Sequence, residues 1–287
     1  MNISSALLKS YDILIDKSKT YRLDSEILLA NVLKKNRIEL LINKNKVLSN
    51  EEIYLFFKKI RQREKLKPIS KIINKQSFWN FDIDVSKKTL IPRPETEILV
   101  DMVCNKFKNK KKFKFLDIGC GTGCISVSLL DIFKGSNCVS LDISKEAIIN
   151  TKINLKKYNF INRAKIIQKN IFKYKNKEKF DLIISNPPYL RLSEYTNIDR
   201  SIKIYEPKTA LIADNKDGTI FFENIILKLK VNLKLNGYVA FEIGDNQFNK
   251  LSKILTLNGF KIEAKYELIN RQIRCLLAKK IQNYTLQ

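Results

Sequence analysis

Histidine is absent from the 287-residue chain. With it go the Ser-His and Cys-His schemes of nucleophilic catalysis. The five cysteines are Cys104, Cys120, Cys124, Cys138 and Cys275, and only Cys120 and Cys124 lie close in sequence. Structural zinc needs four ligands in tightly spaced pairs, so these thiols read as reduced, small apolar fillers and no metal is expected. Also missing is any apolar run long enough to span a bilayer. Residues 1–5 carry no basic stretch followed by a long apolar one, so no signal peptide is expected and the default is a soluble cytoplasmic protein. Acidic residues are scarce: 29 against 54 Lys and Arg, a formal net charge of +25. Two readings of that excess stay open. One is a polyanionic partner such as RNA or the ribosome. The other is compositional drift, because Lys, Ile and Asn are abundant throughout and the lysines form no separate basic arm. No dedicated nucleic-acid site is expected.

What is present suits two unequal domains. The first 67 residues read as helical. Leu23, Ile27, Leu28, Val32 and Leu33 recur at helical spacing, with Asp24 as a cap. Ser49 and Glu52 form a capping box that opens a helix carrying Ile53, Phe56, Phe57 and Ile60, which Pro68 ends. Phe78, Phe81, Ile83 and Val85 then read as short strands of a hairpin-like connector. Beyond Lys111, strand and helix alternate: strands over 114–118, 138–143, 165–171, 181–185 and 238–243, helices over 124–133 and 145–158. A hairpin over 261–269 and 271–278 closes the series. Such alternation predicts an α/β fold with an open, mostly parallel sheet.

Three stretches carry chemistry. Gly119-Cys120-Gly121-Thr122-Gly123 ends the first parallel strand, with Asp117 two residues before the first glycine. Alternate glycines let the backbone turn sharply and approach a ligand closely. The spacing is G-x-G-x-G, unlike the G-x-G-x-x-G of a dinucleotide loop. Asp142 ends the next strand, where ligands of open α/β sheets lie, and its carboxylate suits both hydroxyls of a ribose. Together they argue for an adenosine-containing cofactor. The third stretch is Asn186-Pro187-Pro188-Tyr189, at the end of the strand over 181–185. Two prolines remove two donors and stiffen the turn. The Asn186 side-chain oxygen and the Pro187 carbonyl can then both accept from a planar NH2 group on which Tyr189 can stack. An amide nitrogen is a poor nucleophile because its lone pair is delocalised. Two acceptors that orient its hydrogens, with in-line positioning against an activated methyl, account for much of the rate.

The loop resembles that of class I S-adenosylmethionine-dependent methyltransferases, and nearly the whole chain, least of all the N-terminal helices, resembles the HemK family of glutamine-N5 methyltransferases. The narrower likeness lies in Leu90-Ile91-Pro92-Arg93-Pro94-Glu95-Thr96-Glu97. Further likeness lies in Tyr205-Glu206-Pro207, Ala210-Leu211, Asp217-Gly218, Phe241-Glu242-Ile243-Gly244 and Gln247. The resemblance implies a helical substrate-binding domain over 1–74, a β-hairpin linker over 75–90 and a seven-stranded catalytic domain over 91–287. It implies methyl transfer from S-adenosylmethionine to the glutamine of the Gly-Gly-Gln tip of class 1 peptide-chain release factors, by a monomer. By position, Gly119, Cys120, Gly121, Thr122, Gly123, Asp142, Ile171 and Asn186 would hold the cofactor. Asn186, Pro187, Pro188 and Tyr189 would hold the glutamine, with Asn186, Pro187 and Tyr189 catalytic.

Departures from the family pattern are Asn74 and Asn80 for linker glycines, Asn170 for an acid beside the adenine, and Ala213-Asp214 for a glycine pair. Arg93 and Glu95 suit either the substrate entrance or a salt bridge between domains. Alternatives to release factors are a glutamine of a ribosomal protein and, from another substrate class, adenine or cytosine in nucleic acid.

Overall fold

A computed structural model describes residues 1–175, 177–213 and 216–281. The chain divides into two compact units, Met1–Lys75 with Asp199–Tyr205, and Gln76–Ile198 with Glu206–Gln287.

The first unit is helical: α1 (Ile3–Leu14), α2 (Tyr21–Leu33), α3 (Arg37–Ile42), α4 (Asn50–Glu64) and the short α5 (Ile69–Ile73). The expected capping box opens α4: the Ser49 N–H donates to Glu52 Oε2 at 2.7 Å, and the Glu52 N–H to Ser49 Oγ at 3.1 Å. Phe56 and Ile60 join Ile3, Leu14, Leu28 and Leu29 in the core. Two expectations fail here. Helix α4 ends at Glu64, and Pro68 stands at the N-cap of α5. Asp24 does not cap α2; it lies in that helix's first turn, on the buried face, while Leu23 is exposed. Arg63 Nε donates to Asp24 Oδ2 at 2.6 Å, and Ser18 and Thr20 hydroxyls also donate to this carboxylate. Burial is tolerated because the charge is paired and its lone pairs are occupied.

A hairpin of β1 (Lys75–Phe78) and β2 (Phe81–Asp84) follows, in the second unit from Gln76 onward. The left-handed residue of its two-residue turn is Trp79, at φ 56°, and not Asn80; Asn74 is left-handed at φ 57°, as the C-cap of α5. The Trp79 N–H donates to Glu97 Oε1 at 3.0 Å, which fixes the turn on α6 (Pro94–Phe107). The elements that follow are β3 (Lys114–Ile118), α7 (Cys124–Ile132), β4 (Asn137–Asp142), α8 (Lys145–Lys157), β5 (Ala164–Gln168) and β6 (Phe180–Ser185). Next come the short helices α9 (Leu192–Tyr195) and α10 (Arg200–Tyr205), the latter within the first unit. The chain continues through α11 (Ile220–Leu229), β7 (Leu233–Glu242), α12 (Phe248–Leu257), β8 (Phe260–Glu267) and β9 (Ile273–Lys280).

Seven strands form one sheet in the order β5-β4-β3-β6-β7-β9-β8, with β9 antiparallel to both neighbours. The expected strand over 165–171 stops at Gln168, because Asn170 Oδ1 accepts from the Phe172 N–H at 2.8 Å and starts a tight turn over Ile171–Lys173. Side chains alternate between faces. Phe115, Leu182, Ile184, Ala240 and Leu277 meet α6, α7 and α8. Leu116, Ile183, Val239, Phe241 and Leu276 meet α11 and α12. Arg163 closes the C-terminus of α7: its guanidinium donates to the carbonyls of Leu130, Phe133, Lys134 and Ser136. Among the described residues no helix is long and apolar enough to cross a membrane.

Arg63→Ala strands the buried Asp24 carboxylate. It should cost the helical unit about 3 kcal/mol. Hydrogen exchange through α1, α2 and α4 should quicken roughly a hundredfold; unchanged exchange would show that the pair does not hold the unit together.

Candidate active site

Parallel pairing sets the level of the site. Ile118 of β3 lies beside Leu141 of β4 and Ser185 of β6. The three following segments therefore emerge together at one end of the sheet, where the strand order reverses around β3. A cavity of about 760 Å³ opens there, with Gly119, Gly121, Asp142, Ile171, Asn186, Pro187 and Pro188 in its wall.

The glycine loop takes its shape from left-handed backbone at Gly119, Gly121 and Gly123, with φ of 71°, 57° and 81°. The N–H groups of Gly119 and Cys120 both donate to the Leu141 carbonyl, at 2.8 and 3.1 Å. Asp142 braces the loop from the side: Oδ2 accepts from the Gly121 N–H at 3.0 Å and Oδ1 from the Ser144 N–H at 2.9 Å. Burial raises the Asp142 carboxyl above its ordinary value, and these N–H groups oppose the rise. Not every loop residue reaches the cavity. Cys120 and Thr122 are buried, and the Cys120 thiol accepts from Thr151 Oγ1 at 3.3 Å. A methyl at Gly123 would come within 3.0 Å of Thr151, so this glycine serves the packing of α7 against α8.

Beneath the loop, Asp117 is fully buried. Ser126 Oγ donates to its Oδ2 at 2.6 Å, and Oδ1 has no partner among the described residues. Burial pushes this carboxyl up to about 7.

Asn186, Pro187 and Pro188 line the cavity, whereas Tyr189 stands behind them. The Asn186 amide nitrogen donates to Thr96 Oγ1 at 3.0 Å. Neither Asn186 Oδ1 nor the Pro187 carbonyl has a hydrogen-bond partner among the described residues. The Tyr189 hydroxyl donates to Glu242 Oε1 at 3.2 Å, its backbone carbonyl accepts from Gln247 Nε2 at 2.9 Å, and its ring faces the Arg274 guanidinium. Burial raises the Tyr189 phenol, and the negative charge of Glu242 adds to the rise.

At the far end of the cavity Ile171 lies beside Phe172, Phe221 and Ile225, an apolar wall that extends from the core. Asn170 also lines the cavity, its side-chain oxygen already accepting from Phe172 N–H. Ala213 is buried; Asp214 of the same departure lies outside the described residues.

Arg93 does not bridge two domains. Its Nη2 lies 2.7 Å from Glu206 Oε1, within the second unit, and Glu206 Oε2 accepts from the Ile91 N–H. No ion pair is formed by Glu95 among the described residues.

Several residues of this region have no role in the sequence reading. The α8 asparagines Asn150 and Asn154 are buried. Asn154 Oδ1 accepts from the Asp84 N–H, Asn150 Oδ1 from the Ser86 N–H, and both amide groups donate to the Asp84 carbonyl. Asn154 also donates to the Thr122 carbonyl, so it couples the hairpin's end to the glycine loop. Two buried asparagines at i and i+4 on an amphipathic helix are the one local signal.

Comparison with known proteins agrees with this geometry. Residues 94–204 match the family described as Methyltransferase small domain, and residues 6–73 the one described as PrmC N-terminal domain. A curated protein of Clostridium acetobutylicum, named Release factor glutamine methyltransferase, is 37% identical over 282 residues, covering 97% of this chain and 98% of that protein. The chain belongs to the release factor glutamine methyltransferase family. A second family member, from Clostridium botulinum, is 35% identical over 91% of this chain and 93% of its own length. A methyltransferase structure from Pyrococcus furiosus shares the fold, at a TM-score of 0.52 and 17% identity, over 72% of this chain and 92% of that one.

In this member of the family, Gly218 sits at φ 70° against the back of the Asn-Pro-Pro-Tyr turn, and a methyl there would overlap the Tyr189 carbonyl and the Gln247 side chain. Gly218→Ala should therefore lower methyl transfer on the order of a hundredfold by displacing the turn. Undiminished turnover would mean that this packing does not set the turn's position.

Proposed function

We propose that this chain transfers a methyl group from S-adenosylmethionine to the side-chain amide nitrogen of the Gly-Gly-Gln glutamine in class 1 peptide-chain release factors. The observation that carries the reading is the 37% identity across 98% of a protein named Release factor glutamine methyltransferase, which takes in the helical unit as well as the sheet. The helical unit is assigned the substrate-binding role, and the unit with the seven-stranded sheet the chemistry.

The cavity fits the cofactor. Gly119 and Gly121 leave room for close backbone approach, Asp142 retains lone pairs for ribose hydroxyls, and the Ile171 wall suits a purine face. S-adenosylmethionine supplies a methyl on a sulfonium, an electrophile that needs no further activation.

The chain's own residues act on the nucleophile. Asn186 Oδ1 and the Pro187 carbonyl accept the two amide hydrogens of the glutamine, which turns the nitrogen lone pair toward the methyl. Rigid Pro187 and Pro188 hold both acceptors in place, so the geometry is set before substrate arrives. Tyr189 contributes from behind, as the hydrogen-bonded support of the turn. No general base is required before transfer, because the proton leaves from the methylated amide afterwards.

Labelled-methyl transfer tests the reading: label should appear on release factor and vanish when the Gly-Gly-Gln glutamine is replaced. Label on nucleic acid or on a ribosomal protein instead would overturn the substrate and keep the fold. Asn186→Ala should lose methyl transfer by at least roughly a hundredfold, while calorimetry finds cofactor still bound. Asp142→Ala should show the reverse emphasis, a cofactor dissociation constant raised about tenfold or more; an unchanged constant would remove Asp142 from the ribose.

A further inference from the structure

Asn186 carries an acceptor and a donor on one carboxamide, and the two differ only by a half-turn about its last torsion. Presenting the NH2 group to a substrate NH2 group would be repulsive. The proposed chemistry therefore needs something to fix which way this amide points.

The fixing group lies behind it. Glu242, at the end of β7, is buried, and its carboxylate accepts two hydrogen bonds: from Thr96 Oγ1 at 2.5 Å and from the Tyr189 hydroxyl at 3.2 Å. A hydroxyl has one proton. Thr96, also buried, spends that proton on Glu242 and can only accept from Asn186, whose Nδ2 lies 3.0 Å away. The donor end of the carboxamide is thereby committed to the interior, and Oδ1 is left for the cavity. Burial raises the Glu242 carboxyl; the Thr96 hydrogen bond, the charge of Arg274 and the Tyr189 hydroxyl oppose that rise, and the charge of Glu95 adds to it. The same carboxylate holds both ends of the Asn-Pro-Pro-Tyr turn, Asn186 through Thr96 and Tyr189 directly.

We infer that Thr96 and Glu242 are positioning residues for methyl transfer: an acceptor-only carboxylate sets the direction of a hydrogen-bond chain that fixes the Asn186 carboxamide with its oxygen toward the substrate amide. The inference rests on the role proposed for Asn186. Neither residue touches substrate; both act through the orientation of one that does. Thr96 stands at the third position of α6, where Pro94 fixes the first turn of the helix, so the hydroxyl is held by a rigid element.

The test is steady-state kinetics on the full chain with S-adenosylmethionine and release factor, for Thr96→Val, Thr96→Ser and Glu242→Gln. Valine keeps the shape and deletes the hydroxyl. It should lower kcat about 10- to 100-fold with KM for release factor and cofactor affinity within about twofold, because only the orientation of Asn186 changes. Serine restores the hydroxyl and should recover kcat to within a few-fold of the parent. Glu242→Gln replaces the acceptor-only carboxylate by a carboxamide that can offer either end to Thr96; the chain loses its fixed direction, and kcat should fall several-fold. Wild-type kcat in Thr96→Val would overturn the inference. So would a loss that serine fails to rescue, or one matched by an equal loss of cofactor binding. Should Thr96→Val fail to fold, Thr96→Ser and Glu242→Gln decide alone: full kcat in Glu242→Gln is the contradicting result. Asn186→Ala, run beside them, separates the layers: if it keeps its activity, the functional reading beneath the inference fails, whatever Thr96 does.

Discussion

The parallel register of β3 with β4 and β6 is the constraint on which the site depends. Hydrogen bonds along these strands set Ile118, Leu141 and Ser185 side by side. Three chain segments far apart in sequence are thereby released at one height. A slip of one residue in either ladder would turn every side chain of that strand to the opposite face and bury polar groups in an apolar layer. The two cores enforce the register, since Phe115 and Ile184 belong to one and Leu116 and Ile183 to the other. The positions of the glycine loop, Asp142 and the Asn-Pro-Pro-Tyr turn are thus inherited from the packing of the sheet.

On that frame, buried polar side chains do the finer placement. Asp142 braces the glycine loop through Gly121. Asn154 reaches both Asp84 and the Thr122 carbonyl. Gln247 ties the Tyr189 carbonyl to that of Asp217 and accepts from the Gly244 N–H. Each such group would be costly inside the protein if it lacked partners. Satisfied, each converts burial into a fixed direction. A flexible active-site loop would have to be ordered by substrate. Here the turn carrying Asn186 is held from behind by Glu242 and Gln247, and the ordering is done in folding.

The parts legible in the sequence are those whose chemistry is contiguous. Strand-helix alternation and the glycine spacing locate the sheet and its switch point. Asn186 through Tyr189 stand out because they end an apolar strand in the same series as the glycine loop and Asp142. The Ser49–Glu52 box is local and forms. What escaped notice is non-local. Thr96 and Asn186 are 90 residues apart, and Thr96 and Glu242 are 146 apart, so no window of sequence shows the chain they make. Asp24 looks like a cap because an acid at a helix start usually is one; its burial depends on Arg63 in another helix. The strand expected over 165–171 ends at Gln168 because an asparagine side chain competes with the ladder for the backbone at Asn170. Trp79 adopts a left-handed conformation that its own type disfavours, with its N–H donating to Glu97 on α6.

The central claim is that a planar amide is oriented by two acceptors of one rigid turn. The most direct measurement is a crystal structure of the chain with S-adenosylhomocysteine and a peptide bearing the Gly-Gly-Gln sequence. The account predicts the glutamine amide nitrogen within hydrogen-bond reach of both Asn186 Oδ1 and the Pro187 carbonyl. A glutamine bound with its carbonyl oxygen toward Asn186, or held elsewhere in the cavity, would contradict it.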